Sequence, residues 1–223
     1  MIRRTSSRGR SGGGIRLLVA LAFAAFAIIS YLGSQEFNPV TGENQYVSLT
    51  KQQEIQLGLQ SVPEMLQQFG PPYSDEDVQN YLDDVGFLLV NNSVAADTGW
   101  EWDFTLINNP ELINAFALPG GQVFITTALF SEFENEAQLA GVLSHEIVHV
   151  LARHSSQQIA KQELTQGLIG AVAIGSEDAN AAQVAAVVGQ LVNMSYGRDA
   201  ETQSDLIGVE IMSDTGYDPR AMV

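Results

Sequence analysis

Along this chain the first feature is a run with no mixing of polar and apolar positions. Residues 17–32 read LLVALAFAAFAIISYL, sixteen residues without a charge. As a helix they would reach about 24 Å, near the short limit for a hydrocarbon core of roughly 30 Å. After a polar, turn-rich stretch at 33–50, helical periodicity sets in twice. Thr50 with Gln53 reads as a capping box opening a helix to about Phe69, disturbed at Pro63 and ended by Gly70-Pro71-Pro72. Ser74 followed by Asp77 opens the next, whose apolar positions Val78, Leu82, Val85, Leu88 and Leu89 recur at helical spacing.

The period then changes to two. Trp100, Trp102, Phe104 and Leu106 alternate with Glu101, Asp103 and Thr105, the pattern of a strand with one buried face. Asn108-Asn109-Pro110 turns the chain, and Asn114-Ala115-Phe116-Ala117, the turn Pro119-Gly120-Gly121 and Val123-Phe124-Ile125 predict a hairpin. Asn135 with Gln138 caps a helix through about Arg153. Residues 164–195, rich in Ala, Gly and Val, predict two close-packed helices around a loop near 175–180. A last helix covers about 199–213, and Gly216-Tyr217-Asp218-Pro219 starts another, with Pro at its first position. A helix begun so near residue 223 implies a domain that continues past it. The expected class is α+β, mainly helical with a small antiparallel sheet between helical halves.

Composition and charge narrow the possibilities. The 223 residues suit one compact domain plus an appendage. Without cysteine there is no disulfide, thiolate metal site or cysteine nucleophile. Five of the ten bases (Arg3, Arg4, Arg8, Arg10, Arg16) precede the apolar run, where there is no acid. From residue 17 onward five bases face 26 acids, a body that repels phosphates, so no nucleic-acid partner is expected. Ala25-Phe26-Ala27 resembles a cleavage site but is followed by more apolar sequence, so an uncleaved signal anchor is favoured over a removed signal peptide. The expected organisation is a basic cytoplasmic segment at 1–16, an anchor helix at 17–33, a linker at 34–49 and a body at 50–223 across the membrane.

The body carries His145-Glu146-Ile147-Val148-His149, an HExxH motif on a predicted helix. Positions i and i+4 share a helix face, so both imidazoles can reach one metal ion, with Glu146 one step round to touch water. Zinc suits two imidazoles and a carboxylate with an open fourth position. The helix is nearly apolar around the motif, and buried polar groups need a compensating partner. His154, five residues past His149 and about 140° off that face, reads as structural or surface. Glu201 is the best third ligand, since Glu201, Asp205, Gly208 and Met212 share one face of the last helix. Gly208, and Gly141 from the other side, would let the two helices approach, and Asp205 can accept a bond from a ligating imidazole. The rival reading of Glu201 and Asp205 is a solvated acidic face.

Three blocks in order, NAFALPGGQVFITTALF, HEIVHVLARHS and YGRDAETQSDLIGVEIMSDTGYDP, resemble a known family. It is the membrane-linked, gluzincin-type HExxH zinc metallopeptidases, which include the CAAX prenyl endopeptidase, HtpX, BepA and LoiP. The resemblance implies one zinc per chain held by His145, His149 and Glu201, with Asp205 as partner. The family commonly reads E-x-E-A-D there, and this chain differs at Gln203 and Ser204.

The expected function is zinc-dependent endopeptidase cleavage, Glu146 acting as general base. By the resemblance, unfolded or misassembled cell-envelope proteins would be the substrates, with the catalytic domain expected on the periplasmic side of a bacterial inner membrane. Asn114, Ala115, Phe116 and Ala117 offer a substrate edge strand, with an ordinary hairpin strand as the alternative. Tyr196 and Arg198 are candidates for the oxyanion or for a structural role. The rival functions are a tethered chaperone with structural zinc and a zinc aminopeptidase.

Overall fold

The computed structural model describes residues 12–175 and 196–222, divided between two bodies. One holds residues 12–35 and 159–175, the other 36–158 and 196–222. In the first, helix α1 (Gly12–Gly33) is by length and composition apolar enough to cross a membrane, with Leu18 and Phe26 largely exposed. Helix α6 (His154–Gly175) leaves the second body after its first turn and contributes Gly167 to the first. A Cβ on Gly167 would come within 2.6 Å of Ala27 Cβ. The small-residue packing expected at 164–195 is thus made against α1, and the second helix of that expectation lies outside the described residues.

The second body begins at Glu36, one residue into a two-stranded ribbon of β1 (Gln35–Asn38) and β2 (Glu43–Tyr46), within the segment expected to be a linker. Asn38 is buried there and donates from Nδ2 to the carbonyl of Leu151 over 2.8 Å. Helix α2 (Lys51–Phe69) opens with the Thr50–Gln53 capping box and runs through Pro63 without interruption. Helix α3 (Glu76–Asn91) is capped by Asp75, whose carboxylate accepts from the amides of Asp77 and Val78, and not by Ser74. A carboxylate at the positive end of a helix dipole outcompetes a hydroxyl one residue earlier.

The sheet is mixed, not antiparallel as expected. Its order is β3 (Asp103–Ile107), β5 (Gln122–Thr126), β4 (Ala115–Ala117); β3 and β5 run parallel, β4 and β5 antiparallel. The tight turn makes β4 and β5 neighbours, while the longer connection through Asn109 and Pro110 lets β5, buried at all five positions, take the centre. Gly120 and Gly121 adopt φ of +99° and +123°, and a Cβ on Gly120 would lie 2.5 Å from Ile55 Cα. Only glycine meets both conditions.

A short helix α4 (Thr127–Phe130) leads to α5 (Glu136–Leu151), capped by Asn135 as expected. Leu139, Leu143, Ile147 and Leu151 of α5 close the core over Phe104, Leu106 and Ile125 of the sheet and Leu82 and Leu89 of α3. Helix α7 (Arg198–Asp214) packs against α5 through Ile211 and Met212. At Gly208 the two helices nearly touch, an added Cβ lying 3.4 Å from the His145 amide nitrogen. Gly141 makes room for Met222 of the closing turn and not for α7, which corrects the expected double notch. That turn is a single 3-10 turn (Pro219–Ala221) capped by Asp218.

Candidate metal centre

Helix α5 turns its apolar stripe into the core and presents the HExxH residues on the remaining face. Because the helix spans the body, that face is itself half covered: His149 and Glu146 are buried, and His145 is 22% exposed. The Nε2 atoms of His145 and His149 lie 3.0 Å apart. Across from them α7 delivers Glu201, with Oε2 at 3.5 Å from His145 Nε2 and Oε1 at 3.9 Å from His149 Nε2. A tetrahedral zinc with bonds near 2.0–2.2 Å would hold its ligand atoms about 3.3 Å apart, so these separations fit such an ion. The three residues form a group that can hold a metal.

The donor chemistry fits as well. Asp205 Oδ1 lies 2.8 Å from His145 Nδ1, and an ionised carboxylate accepts only. The His145 proton is therefore on Nδ1, and Nε2 faces the site as a lone pair. Burial, followed by the charges of His154 and His145, pushes His149 down to about 3, so its imidazole is neutral, as a ligand must be. Burial and then the charge of Glu201 push Glu146 up to about 8, with the backbone amide of Ala117 pulling the other way.

Strand β4 lies at the sheet edge beside these groups. Leu118 N donates to Gln122 O and Thr126 N to Asn114 O, so the alternation of an antiparallel ladder turns Asn114, Phe116 and Leu118 toward β5. Of the four edge residues expected, Ala115 and Ala117 therefore carry the backbone groups that face outward. A cavity of about 470 Å³ runs from Ala115 past His145 and Glu146 to Leu129, Phe133 and Val142.

Tyr196 stacks on the His149 ring, centroids 4.6 Å apart, and its hydroxyl meets Ser155 Oγ at 2.8 Å. Arg198 is exposed at the first position of α7.

His154 is structural, the first of its two expected roles, and not at the surface, and the expected separation of about 140° from the ligand face does not hold. It is buried, with Nδ1 at 2.8 Å from His149 Nδ1 and Nε2 at 3.1 Å from Gln203 Oε1. Helix α5 ends at Leu151, Arg153 takes the left-handed φ of +56°, and α6 starts afresh at His154. The helical phase breaks between the two histidines, so an angle counted along one continuous helix does not apply. No local sequence signal marks an arginine for that conformation.

Residues 76–223 match the model of Peptidase family M48. The chain is 34% identical over 218 residues to the beta-barrel assembly-enhancing protease of Escherichia coli (strain K12), a match covering 92% of this chain and 44% of that protein. To the mitochondrial metalloendopeptidase OMA1 of Saccharomyces cerevisiae it is 28% identical over 193 residues, covering 86% of this chain and 51% of that protein. The chain thus spans about half the length of these relatives or less. Since the family model takes in most of the chain, including the paired helices that bring two histidines and a glutamate together, this protein belongs to Peptidase family M48.

Proposed function

We propose that this chain is a zinc-dependent endopeptidase of the cell envelope, with His145, His149 and Glu201 as metal ligands and Glu146 as general base. The observation carrying this reading is the convergence of three acceptor atoms from α5 and α7, with Asp205 keeping the His145 proton on the far nitrogen. When bound, the ion supplies Lewis acidity that activates water for attack on a peptide carbonyl. Glu146, ionised at the moment of attack, takes the water proton on a carboxylate oxygen and later gives it to the leaving nitrogen. Ala115, and Ala117 through its carbonyl, pair with the backbone of an extended substrate at the open edge of β4, while the Ala117 amide is held by Glu146. Such pairing ignores side chains, which suits cleavage of unfolded or misassembled envelope proteins; the name of the beta-barrel assembly-enhancing protease supports that substrate class. Residues 17–33 anchor the body at 50–223 to a bacterial inner membrane, with residues 1–16 cytoplasmic and the catalytic domain periplasmic. Tyr196 supports the ring of His149, and Arg198 is free to meet substrate.

The test is Glu146→Gln, assayed for zinc content and for casein cleavage with and without a chelator. The expected result is full zinc with no cleavage, and the unaltered chain making internal cuts that chelation abolishes. Cleavage by the variant at the normal rate would refute the general-base role. Terminal trimming would replace the reading with an aminopeptidase, and intact casein kept soluble would replace it with a chaperone.

A further inference from the structure

A chain of hydrogen bonds behind His149 has no part in the chemistry described so far. His149 Nδ1 meets His154 Nδ1 at 2.8 Å, His154 Nε2 meets Gln203 Oε1 at 3.1 Å, and Gln203 Nε2 donates to Glu43 Oε2 over 3.1 Å. The outer end sets the direction of every proton in it. A carboxylate only accepts, so Gln203 turns its amide nitrogen to Glu43 and its oxygen to His154. That oxygen also only accepts, so the His154 proton is on Nε2. Neutral His154 then offers a lone pair at Nδ1, and His149 must donate its own Nδ1–H to it. The outcome is a His149 whose Nε2 faces Nε2 of His145 and Glu201 with no proton on it.

We propose that Gln203, acting through His154, is a positioning residue that fixes the tautomer and ring orientation of His149 for metal binding. The inference rests on the reading of His145, His149 and Glu201 as ligands. It gives the two imidazoles different supports. Asp205 holds His145 directly with a formal charge, whereas His149, the deeper of the two, is held by a neutral relay that brings no second carboxylate to the buried side of the site. The relay also ties the centre to β2, because Glu43 orients the Gln203 amide.

The chain has only three histidines, so histidine-labelled protein gives a readable spectrum. Long-range 1H–15N correlation on the zinc-loaded chain is expected to show His154 protonated at Nε2 and bare at Nδ1. A proton on Nδ1 of His154 would overturn the inference. Zinc affinity, measured by competition with a chromophoric chelator, should weaken about tenfold or more in Gln203→Leu, the usual effect of losing a support behind a ligand. Gln203→Glu combined with Glu43→Gln, which swaps donor and acceptor at the outer bond, keeps an acceptor toward His154 without opposing two carboxylates and should bind zinc nearly as the unaltered chain does. Circular dichroism and thermal unfolding of the metal-free Leu variant separate a folding defect from a metal-site defect. If that variant does not fold, the His154 tautomer and the double variant decide. A Leu variant that binds zinc normally, or a double variant as weak as the Leu variant, refutes the relay. An unaltered chain that binds no zinc refutes the ligand reading itself, which is a distinguishable failure.

Discussion

Replacing Arg153 with methionine removes the guanidinium that joins three segments at the carboxyl end of α5. Its Nε donates to Glu54 Oε1 over 2.7 Å, Nη1 to Glu36 Oε2 over 2.8 Å, and Nη2 to the carbonyl of Leu49 over 2.7 Å. These legs are not equal. The Glu54 side chain is 2% exposed and that of Arg153 9%, whereas Glu36 is 60% exposed. Breaking a buried pair from one side leaves an uncompensated charge and costs about 3–5 kcal/mol, while an exposed leg is worth less than about 1 kcal/mol. At about 2–4 °C per kcal/mol for a domain of this size, Arg153→Met should lower the melting temperature by roughly 6–20 °C. Glu36→Gln should lower it by no more than about 4 °C.

The deficit also has a pH signature. Burial already pushes the Glu54 carboxyl up, with Arg153 opposing it. Without the arginine the folded-state value rises further above the unfolded one. A raised folded value means stability present below the unfolded pKa of about 4.3 and lost as pH rises through the folded pKa. The Arg153→Met deficit should therefore be larger at pH 8 than at pH 5, and adding Glu54→Leu should recover most of it, since an apolar pair replaces the orphaned charge. Calorimetry of the four proteins at both pH values is the assay. A single-variant loss under about 1 kcal/mol, or equal losses for Arg153→Met and Glu36→Gln, would refute the assignment of Glu54 as the dominant partner.

The other expectations are briefer. Glu201→Ala should bind zinc far more weakly than the unaltered chain, because two imidazoles alone leave the ion short of a ligand; equal stoichiometry and affinity in a chelator competition would remove Glu201 from the site. Tyr81 and Tyr217 both donate to Glu136, at 3.0 and 2.7 Å. Burial and then that carboxylate push Tyr81 up to about 12 and raise Tyr217 as well. Their folded values exceed the unfolded value near 10, so this stabilisation holds below about pH 10 and fades toward pH 12; ultraviolet titration should show both titrating late, and Glu136→Ala should move them part of the way back, leaving the share due to burial. Gly120→Ala combines φ of +99° with a Cβ 2.5 Å from Ile55 Cα, and should cost more than about 2 kcal/mol in urea unfolding.

Much of the site and fold is legible in short stretches of sequence. Helix periodicity puts His145 and His149 on one face four residues apart, and Thr50–Gln53 and Asn135–Gln138 cap α2 and α5 because a cap is a bond between near neighbours. The Pro119-Gly120-Gly121 turn is legible for the same reason: its backbone demands glycine. What local patterns leave open is every relation between segments far apart in the chain. Glu201 on a shared face with Asp205 is equally a solvated acidic surface until α7 packs at Gly208 and brings it within 3.5 Å of His145. The parallel pairing of β3 with β5 depends on which strand takes the centre of the sheet, a choice made by burial. His154 is the clearest case. Its place beside His149 requires a left-handed arginine, and Arg153 adopts that conformation while bound by Glu54 from α2 and Glu36 from the ribbon. Periodicity and capping act over one or two helical turns, so the sequence alone determined the elements and the paired imidazoles. The acidic third member of the His145–His149–Glu201 group, the relay and the mixed sheet were decided by packing and by ion pairs across a hundred residues, which no local pattern encodes.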